Sequence, residues 1–307
     1  MHRCLQLAAN GRGSVSPNPM VGSVIVHNHR IIGEGYHRAC GQAHAEVNAI
    51  AAVRDKELLR ESTLFVNLEP CSHYGKTPPC ADLIIESRIP RVVVGMEDPF
   101  PEVAGRGIER LRAHGVTVTV GIEEAACREL NRRFITCQTL HRPYVILKWA
   151  QSSDGFIDRI RREGDGQTPI RFSDEYGQIA VHKLRAEADA IMVGTRTLHL
   201  DRPQLDVRHW DGRNPLRLIA DSSLTIPQQL DRLYQERIQS LIVEGGARLL
   251  SSFLESGIWD EARIEIAPIV LRSGVPAPTI SGTPISIEHS RHSAILTYLN
   301  RNLAVEN

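Results

Sequence analysis

His44-Ala45-Glu46-Val47, then Glu69-Pro70-Cys71 and, after eight intervening residues, Cys80 make up the stretch on which the reading of this chain turns. It supplies one imidazole, two thiols and a carboxylate. Zinc takes nitrogen and sulfur donors in a tetrahedron, and a reactive zinc site keeps one corner for water. His44, Cys71 and Cys80 fill three corners, which leaves Glu46 off the metal but near enough to move protons. Zinc lowers the pKa of water from ~15.7 toward ~7. A neighbouring carboxylate can take that proton and pass it to a leaving nitrogen. The predicted chemistry is hydrolytic deamination of an amidine-like carbon.

H-x-E followed by P-C-x-x-C is the pattern of zinc-dependent base deaminases. This chain keeps the first half and separates its cysteines by eight residues instead of two. His44 and Cys80 fall at expected helix starts, where partial positive charge favours thiolate. A competing reading makes the zinc structural, with His73 as a fourth ligand in place of water. Around this core, Pro17-Asn18-Pro19 is a rigid turn that can set the Asn18 side chain against a heterocycle edge. His73 and Lys76, between the two cysteines, can meet a substrate phosphate or can be ordinary loop residues.

The length of 307 residues suggests two domains. Basic and acidic side chains balance at 36 each and aromatics are 5%, which disfavours a basic, aromatic-lined track for a nucleic-acid strand. No apolar run approaches the ~18–20 residues of a membrane helix. Met1–Leu7 lacks the features of a signal peptide, so a cytoplasmic location is expected. Six cysteines do not suggest a disulfide framework, and Cys4, Cys40, Cys127 and Cys137 read as plain thiols, mostly buried.

Strand and helix patterns alternate along the chain, which predicts α/β architecture with mostly parallel sheets. Strands are expected at Val24–Val26 and Arg30–Gly35, around a turn at His27-Asn28-His29, and at Leu64–Leu68, Val92–Val94 and Gly115–Val120. Helices are expected over Ala45–Arg60, Cys80–Ser87, Gly107–His114 and Glu123–Leu140. His141-Arg142-Pro143 reads as a seam between residues 1–143 and 144–307. The second pattern runs through strands at Tyr144–Trp149, Ala190–Val193, Leu216–Ala220, Leu241–Val243 and Glu261–Ile266, with helices at Asp174–Ala188 and Gly246–Ser256. Arg159–Arg162 reads as a solvated basic loop.

Ser16-Pro17-Asn18-Pro19, Gly33-Glu34-Gly35-Tyr36-His37, His44-Ala45-Glu46-Val47 and the run from Leu68 to Cys80 resemble the bifunctional deaminase–reductases of riboflavin biosynthesis. Lys148–Gly155, Leu184-Arg185-Ala186, Gly194–Thr197, Leu205–Arg208 and Val243–Gly246 extend the resemblance over nearly the whole chain. It implies a cytidine-deaminase-like three-layer domain followed by a dihydrofolate-reductase-like α/β domain. The first would deaminate 2,5-diamino-6-ribosylamino-4(3H)-pyrimidinone 5′-phosphate with zinc. The second would reduce the ribosyl side chain of the product to ribityl with NADPH. A homo-oligomer is compatible with the resemblance.

Residue by residue, Asn18, His73 and Lys76 would then contact the deaminase substrate, with Glu46 catalytic. Lys148, Arg185, Leu205, Arg208 and Glu244 match reductase substrate positions. Thr197, Asp201, Ser222, Gly246, Ala247, Arg248 and Leu249 match cofactor positions. Two arginines suit a phosphate because guanidinium forms paired, charge-assisted bonds to its oxygens. Glu244-Gly245-Gly246, at a strand end and opening a helix, suits a diphosphate. The chain departs from the family in two places. Ser223–Gln239 is short where another strand and helix are usual, and Pro169–Phe172 lacks the usual tryptophan-centred segment. A shortened second domain is therefore expected. This leaves open a deaminase whose second domain is inactive or structural.

Overall fold

The computed structural model describes residues 1–72, 78–100, 104–290 and 292–300. Its first sheet starts from a hairpin of β1 (Gly22–His27) and β2 (Arg30–Tyr36). Asn28 and His29 both take left-handed backbone (φ 46° and 62°), as a two-residue hairpin turn demands. Two glycines on β2 then decide what rests on the hairpin. Gly33 and Gly35 share one face. A Cβ at Gly35 would lie 2.4 Å from Ala49 N, and one at Gly33 would lie 2.5 Å from Ala49 O. The helix α2 (Ala45–Ala52) therefore lies directly on the strand, with His44 as its cap.

Residues 1–141 form one compact unit. Besides α2 and the hairpin it holds α1 (His2–Ala9), β3 (Thr63–Leu68), α3 (Cys80–Glu86), β4 (Arg91–Met96), α4 (Arg106–Ala113), β5 (Thr117–Val120), α5 (Glu124–Leu130) and α6 (Arg132–Leu140). The strand order is β2-β1-β3-β4-β5. β3, β4 and β5 are parallel, whereas β1 is antiparallel to both neighbours. The sheet is thus mixed, because the hairpin reverses the chain before the parallel part begins. Alternate strand residues serve two cores. Ile25, Leu64, Val66, Val92 and Val94 pack with α2, α3 and α4, while Val24 and Phe65 pack with α1 on the other face. The result is three layers.

Two expected helices change. The first ends at Ala52, where Val53 turns to extended backbone (ψ 121°). Asp55 then accepts the Glu57 N–H and starts a separate 3-10 turn, Lys56–Glu61. The second breaks at Asn131 (φ −99°, ψ 14°), whose side chain is used elsewhere. Cys40 is exposed, unlike the buried Cys4, Cys127 and Cys137.

Residues 142–307 form the second compact unit. It contains β6 (Tyr144–Ser152), β7 (Phe156–Asp158), α7 (Glu175–Ala186), β8 (Ala190–Val193), α8 (Thr195–Asp201), β9 (Leu216–Ile219) and α9 (Ile226–Gln235). There follow β10 (Ser240–Glu244), α10 (Ala247–Ser256), β11 (Glu261–Ala267), β12 (Val275–Pro276), β13 (Ser286–His289) and β14 (Ala294–Leu299). The main sheet runs β13-β14-β11-β6-β10-β8-β9 and is parallel from β11 to β9. The short stretch before β10 is spanned by α9 alone, which opens with a capping box between Thr225 and Gln228. β9 is left at the edge with Leu216 and Ile219 exposed. Asp260 fixes the start of β6 by accepting two bonds from Arg142 (2.6 and 2.9 Å) and one from Val145 N–H (2.7 Å). The basic run 159–162 is not wholly solvated. Arg161 is 5% exposed because the Asp158 and Asp201 carboxylates enclose its guanidinium. No helix among the described residues is long and apolar enough to cross a membrane.

A buried carboxylate fixes the corner after β3. Glu69 accepts backbone N–H groups from Asp98 (3.1 Å), Gly105 (2.9 Å), Gly107 (2.8 Å) and Ile108 (3.3 Å), thereby capping α4. A Cβ at Gly107 would sit 2.0 Å from Pro70 O, so only glycine lets α4 approach the corner that carries Cys71. Gly107→Ala should cost roughly 1–3 kcal/mol as overpacking. It should lower the thermal midpoint by roughly 3–10 °C and reduce metal content under limiting zinc. An unchanged midpoint and metal content would mean that α4 shifts freely.

Candidate active site

Three side chains from separate positions converge in the first unit. His44 caps α2 with extended backbone, Cys80 opens α3, and Cys71 lies three residues beyond β3. His44 Nδ1 is 3.3 Å from Cys80 Sγ and 3.6 Å from Cys71 Sγ. All three donor atoms lie within 4.8 Å of one another. Nitrogen and sulfur ligands at ordinary zinc distances in a tetrahedron stand about 3.6–3.8 Å apart. The donor set therefore fits the ion in both chemistry and spacing.

The surroundings favour thiolate. The Cys80 N–H donates to Cys71 Sγ at 3.3 Å. The Cys71 thiol is held well below its usual range, first by the hydrogen bond from the Cys80 thiol and then by His44, against the effect of burial. Cys80 is pushed up because it keeps the proton of that pair and is buried. His44 is raised, first by its bond to Cys71. Glu46, on the first turn of α2, is 3% exposed. Burial, then the Cys71 charge, pushes its carboxyl up to about 7. A carboxyl with that affinity takes and returns a proton near neutral pH.

Asn18 is held at this site by a histidine that the residue patterns alone did not single out. His37 is 2% exposed and its Nδ1 donates to Ala43 O at 3.1 Å, which leaves Nε2 to accept from Asn18 Nδ2 at 3.0 Å. The His37 ring meets His44 edge-on, with centroids 5.5 Å apart. Two buried amides fix the chain beyond Asn18. Asn131 accepts the Met20 N–H (2.8 Å) and donates to Met20 O (2.9 Å). Asn67 donates to the same carbonyl (3.0 Å) and accepts the Gly22 N–H (2.7 Å). His73 and Lys76 lie outside the described residues.

A second cluster lies toward the C-terminal ends of the parallel strands in the second unit, where α/β sheets place ligands. Lys148 on β6 and Glu244 on β10 are register neighbours. Arg185, on α7, donates to Glu244 through Nη2 (2.7 Å) and Nε (3.4 Å), and through Nη1 to Asp206 O (3.3 Å). Burial pushes the Glu244 carboxyl up, but Lys148 and Arg185 outweigh it and hold the group below its ordinary value. Arg208 is exposed and paired with Asp206. Leu205 is 5% exposed and packs among Tyr144, Ile146, Leu184 and Ile242, so its side chain serves the core.

Of the cofactor candidates, Thr197 and Gly246 meet directly: the Thr197 hydroxyl accepts the Gly246 N–H at 3.0 Å. Gly194 and Gly246 cap α8 and α10 at the ends of adjacent strands, and neither helix has a side-chain cap. Ala247, Arg248 and Leu249 form the first turn of α10, whose leading N–H groups suit a phosphate. Ser222 is exposed just beyond β9. The Asp201 carboxylate is engaged by Arg161 at 2.5 Å. The cradle fits an anionic, phosphate-bearing cofactor.

Residues 1–96 match the family model described as the cytidine and deoxycytidylate deaminase zinc-binding region. Residues 143–295 match that of the RibD C-terminal domain. The riboflavin biosynthesis protein RibD of Aquifex aeolicus is 37% identical, over 90% of this chain and 88% of that protein. That of Escherichia coli strain K12 is 34% identical, over 89% and 88%. Among solved structures, the Thermotoga maritima diaminohydroxyphosphoribosylaminopyrimidine deaminase/5-amino-6-(5-phosphoribosylamino)uracil reductase is 34% identical. It superposes with a TM-score of 0.87 over 97% of this chain and 96% of its own. With a zinc donor set in one unit and a reductase-type fold in the other, this chain belongs to the RibD family of fused deaminase–reductases of riboflavin biosynthesis.

Proposed function

We propose that this chain carries out two consecutive steps. Residues 1–143 remove the 2-amino group of 2,5-diamino-6-ribosylamino-4(3H)-pyrimidinone 5′-phosphate. Residues 144–307 then reduce the ribosyl side chain of 5-amino-6-(5-phosphoribosylamino)uracil to ribityl with NADPH. The observation that carries the reading is the convergence of His44, Cys71 and Cys80 beside the buried Glu46.

His44, Cys71 and Cys80 hold zinc, which when bound supplies a Lewis acid that acidifies water near neutral pH. Glu46 receives the proton released there and delivers it to the departing amine. It is suited to both directions because it lies buried on the first turn of α2, off the metal but beside it. Asn18, with its Nδ2 occupied by His37, offers its Oδ1 to N–H groups on the pyrimidine edge. His73 and Lys76 are assigned to the substrate's phosphate side on their chemistry and position in the chain.

In the reductase half, Thr197, Ser222 and the Gly246–Leu249 turn hold NADPH, which when bound supplies a hydride. Asp201 supports them through Arg161. Lys148, Arg185 and Glu244 bind the sugar end of the substrate, with the Leu205 segment shaping that wall. Arg208 grips the phosphate, where guanidinium can bond two oxygens at once.

Glu46→Gln should keep stoichiometric zinc and lose ammonia release by about a thousandfold, since general acid–base steps contribute ~10²–10⁴-fold. A metal-loaded variant with wild-type rate would remove Glu46 from the proton path. Thr197→Val deletes the acceptor for the Gly246 N–H and should raise the KM for NADPH about tenfold while deamination is unchanged. Steady-state NADPH oxidation measured on the deaminated intermediate is the check. An unaltered KM would place the cofactor elsewhere.

A further inference from the structure

The segment between α8 and β9 carries Leu205 and Arg208, and its path is set from outside by α7. His182 and Arg185 stand three residues apart on α7 and so share a face. The His182 ring is 3% exposed, and its Nδ1 accepts the Arg208 N–H at 3.1 Å. That bond requires Nδ1 to be unprotonated, which puts the ring hydrogen on Nε2. One turn along, Arg185 donates to Asp206 O at 3.3 Å. Lys183 places its ammonium over the Trp210 ring, 5.1 Å from the centroid, and His182 meets the His209 ring edge-on at 4.7 Å. Leu205 is seated in the core with left-handed backbone (φ 52°), a conformation a leucine keeps only where its surroundings impose it.

We infer that His182 is a positioning residue of the reductase site: as a neutral hydrogen-bond acceptor it locks the main chain at Arg208 and thereby aims that guanidinium at the substrate phosphate. The inference rests on the reading that Arg208 grips the phosphate. The surroundings keep the ring in its accepting form. Burial, then the charges of Arg185 and Arg208 and the neighbouring His209, depress its proton affinity, with Asp206 opposing. Protonation would turn the acceptor into a donor facing an N–H. Packing alone does not require a bare Nδ1. An acceptor at that position is therefore the separable feature of the proposal.

The test uses the full-length, zinc-loaded chain, with NADPH oxidation read against 5-amino-6-(5-phosphoribosylamino)uracil. His182→Asn returns an amide oxygen close to the place of Nδ1, whereas His182→Gln displaces it by one bond and His182→Phe removes it. The expected result is a KM raised about tenfold in the Gln and Phe variants, near wild type in Asn, with kcat within about twofold throughout. The retained kcat reports that the second unit is folded, and unchanged ammonia release in the same preparations that the first is. Equal KM values in the Asn and Gln variants, or a fall in kcat with KM unchanged, would overturn the proposal. Arg208→Ala tests the underlying reading separately. If its KM rises while His182→Gln behaves as wild type, the phosphate assignment stands and the His182 role falls. If its KM is unchanged, the phosphate assignment falls and the proposal falls with it.

Discussion

Two sulfurs and an imidazole nitrogen packed within 4.8 Å of one another are the constraint around which the first unit is arranged. Without a cation, such a set must keep a proton between its thiols and bury the remaining charge. A divalent ion replaces that proton and satisfies all three donors at once. The backbone brings them together through contacts that admit no side chain. Gly33 and Gly35 lay α2 on the hairpin and so place His44 and Glu46. Gly107 brings α4 against Pro70, and the Glu69 carboxylate holds that corner, placing Cys71. The ligands are side chains, but their precision comes from backbone packed on backbone.

How much of this could be read beforehand depends on what kind of signal each residue leaves. The convergence of His44, Cys71 and Cys80 was legible because His, Glu, Pro and Cys in that order have few other reasons to occur together. Strands β1 to β6 and β8 to β11 were legible from short apolar runs, whereas β7 and β12 to β14 were not. The supporting residues left no pattern. Asn131 sits in a stretch with helical periodicity, and only the fold shows that the helix breaks there to free an amide for Met20. Asn67 lies inside an apolar strand and Glu69 beside it, and both look like ordinary polar interruptions until their backbone partners are known. Arg161 belonged to a basic run that reads as solvated. Its partners Asp158 and Asp201 are 3 and 40 residues away, and the second pairing is invisible in one dimension. The turn at His27-Asn28-His29 was legible between its two strands, but the antiparallel pairing of β1 with β3 was not, because periodicity does not report pairing direction.

In the second unit the candidate ligand surface is assembled from strand ends instead of helix caps alone. Lys148 and Glu244 face each other by parallel register, so their relation is fixed by the ladder that joins β6 to β10. Glycines at 194 and 246 start two helices from neighbouring strands, and Thr197 ties the second start to the first helix. The sheet keeps this edge although the chain between β9 and β10 contains a single helix. What the short connection changes is the far side of β9, where Leu216 and Ile219 meet solvent. The candidate cradle at β8 and β10 lies inward of that edge, whereas Ser222, just beyond β9, lies at it.

Glu46 and Glu244 show how one residue type serves opposite ends. Glu46 has little to offset its burial, and the nearby Cys71 charge adds to it, so its carboxyl rises to about 7. Glu244 is also buried, yet Lys148 and Arg185 outweigh that burial and keep it below its ordinary value. The first carboxyl is pushed toward its protonated form, while the second is held as an anion. Environments that push equivalent groups apart in proton affinity divide them into reactive and binding roles. By that criterion Glu46 fits the proposed acid–base role, whereas Glu244 holds Arg185 as an ion-pair partner. Arg185 reaches from this anion to Asp206, so the fixed charge of Glu244 also steadies the segment that presents Arg208. Removing that charge would loosen Arg185 from one side only, leaving Asp206 O as its remaining acceptor. The order of the second site thus depends on a carboxylate that never needs to titrate.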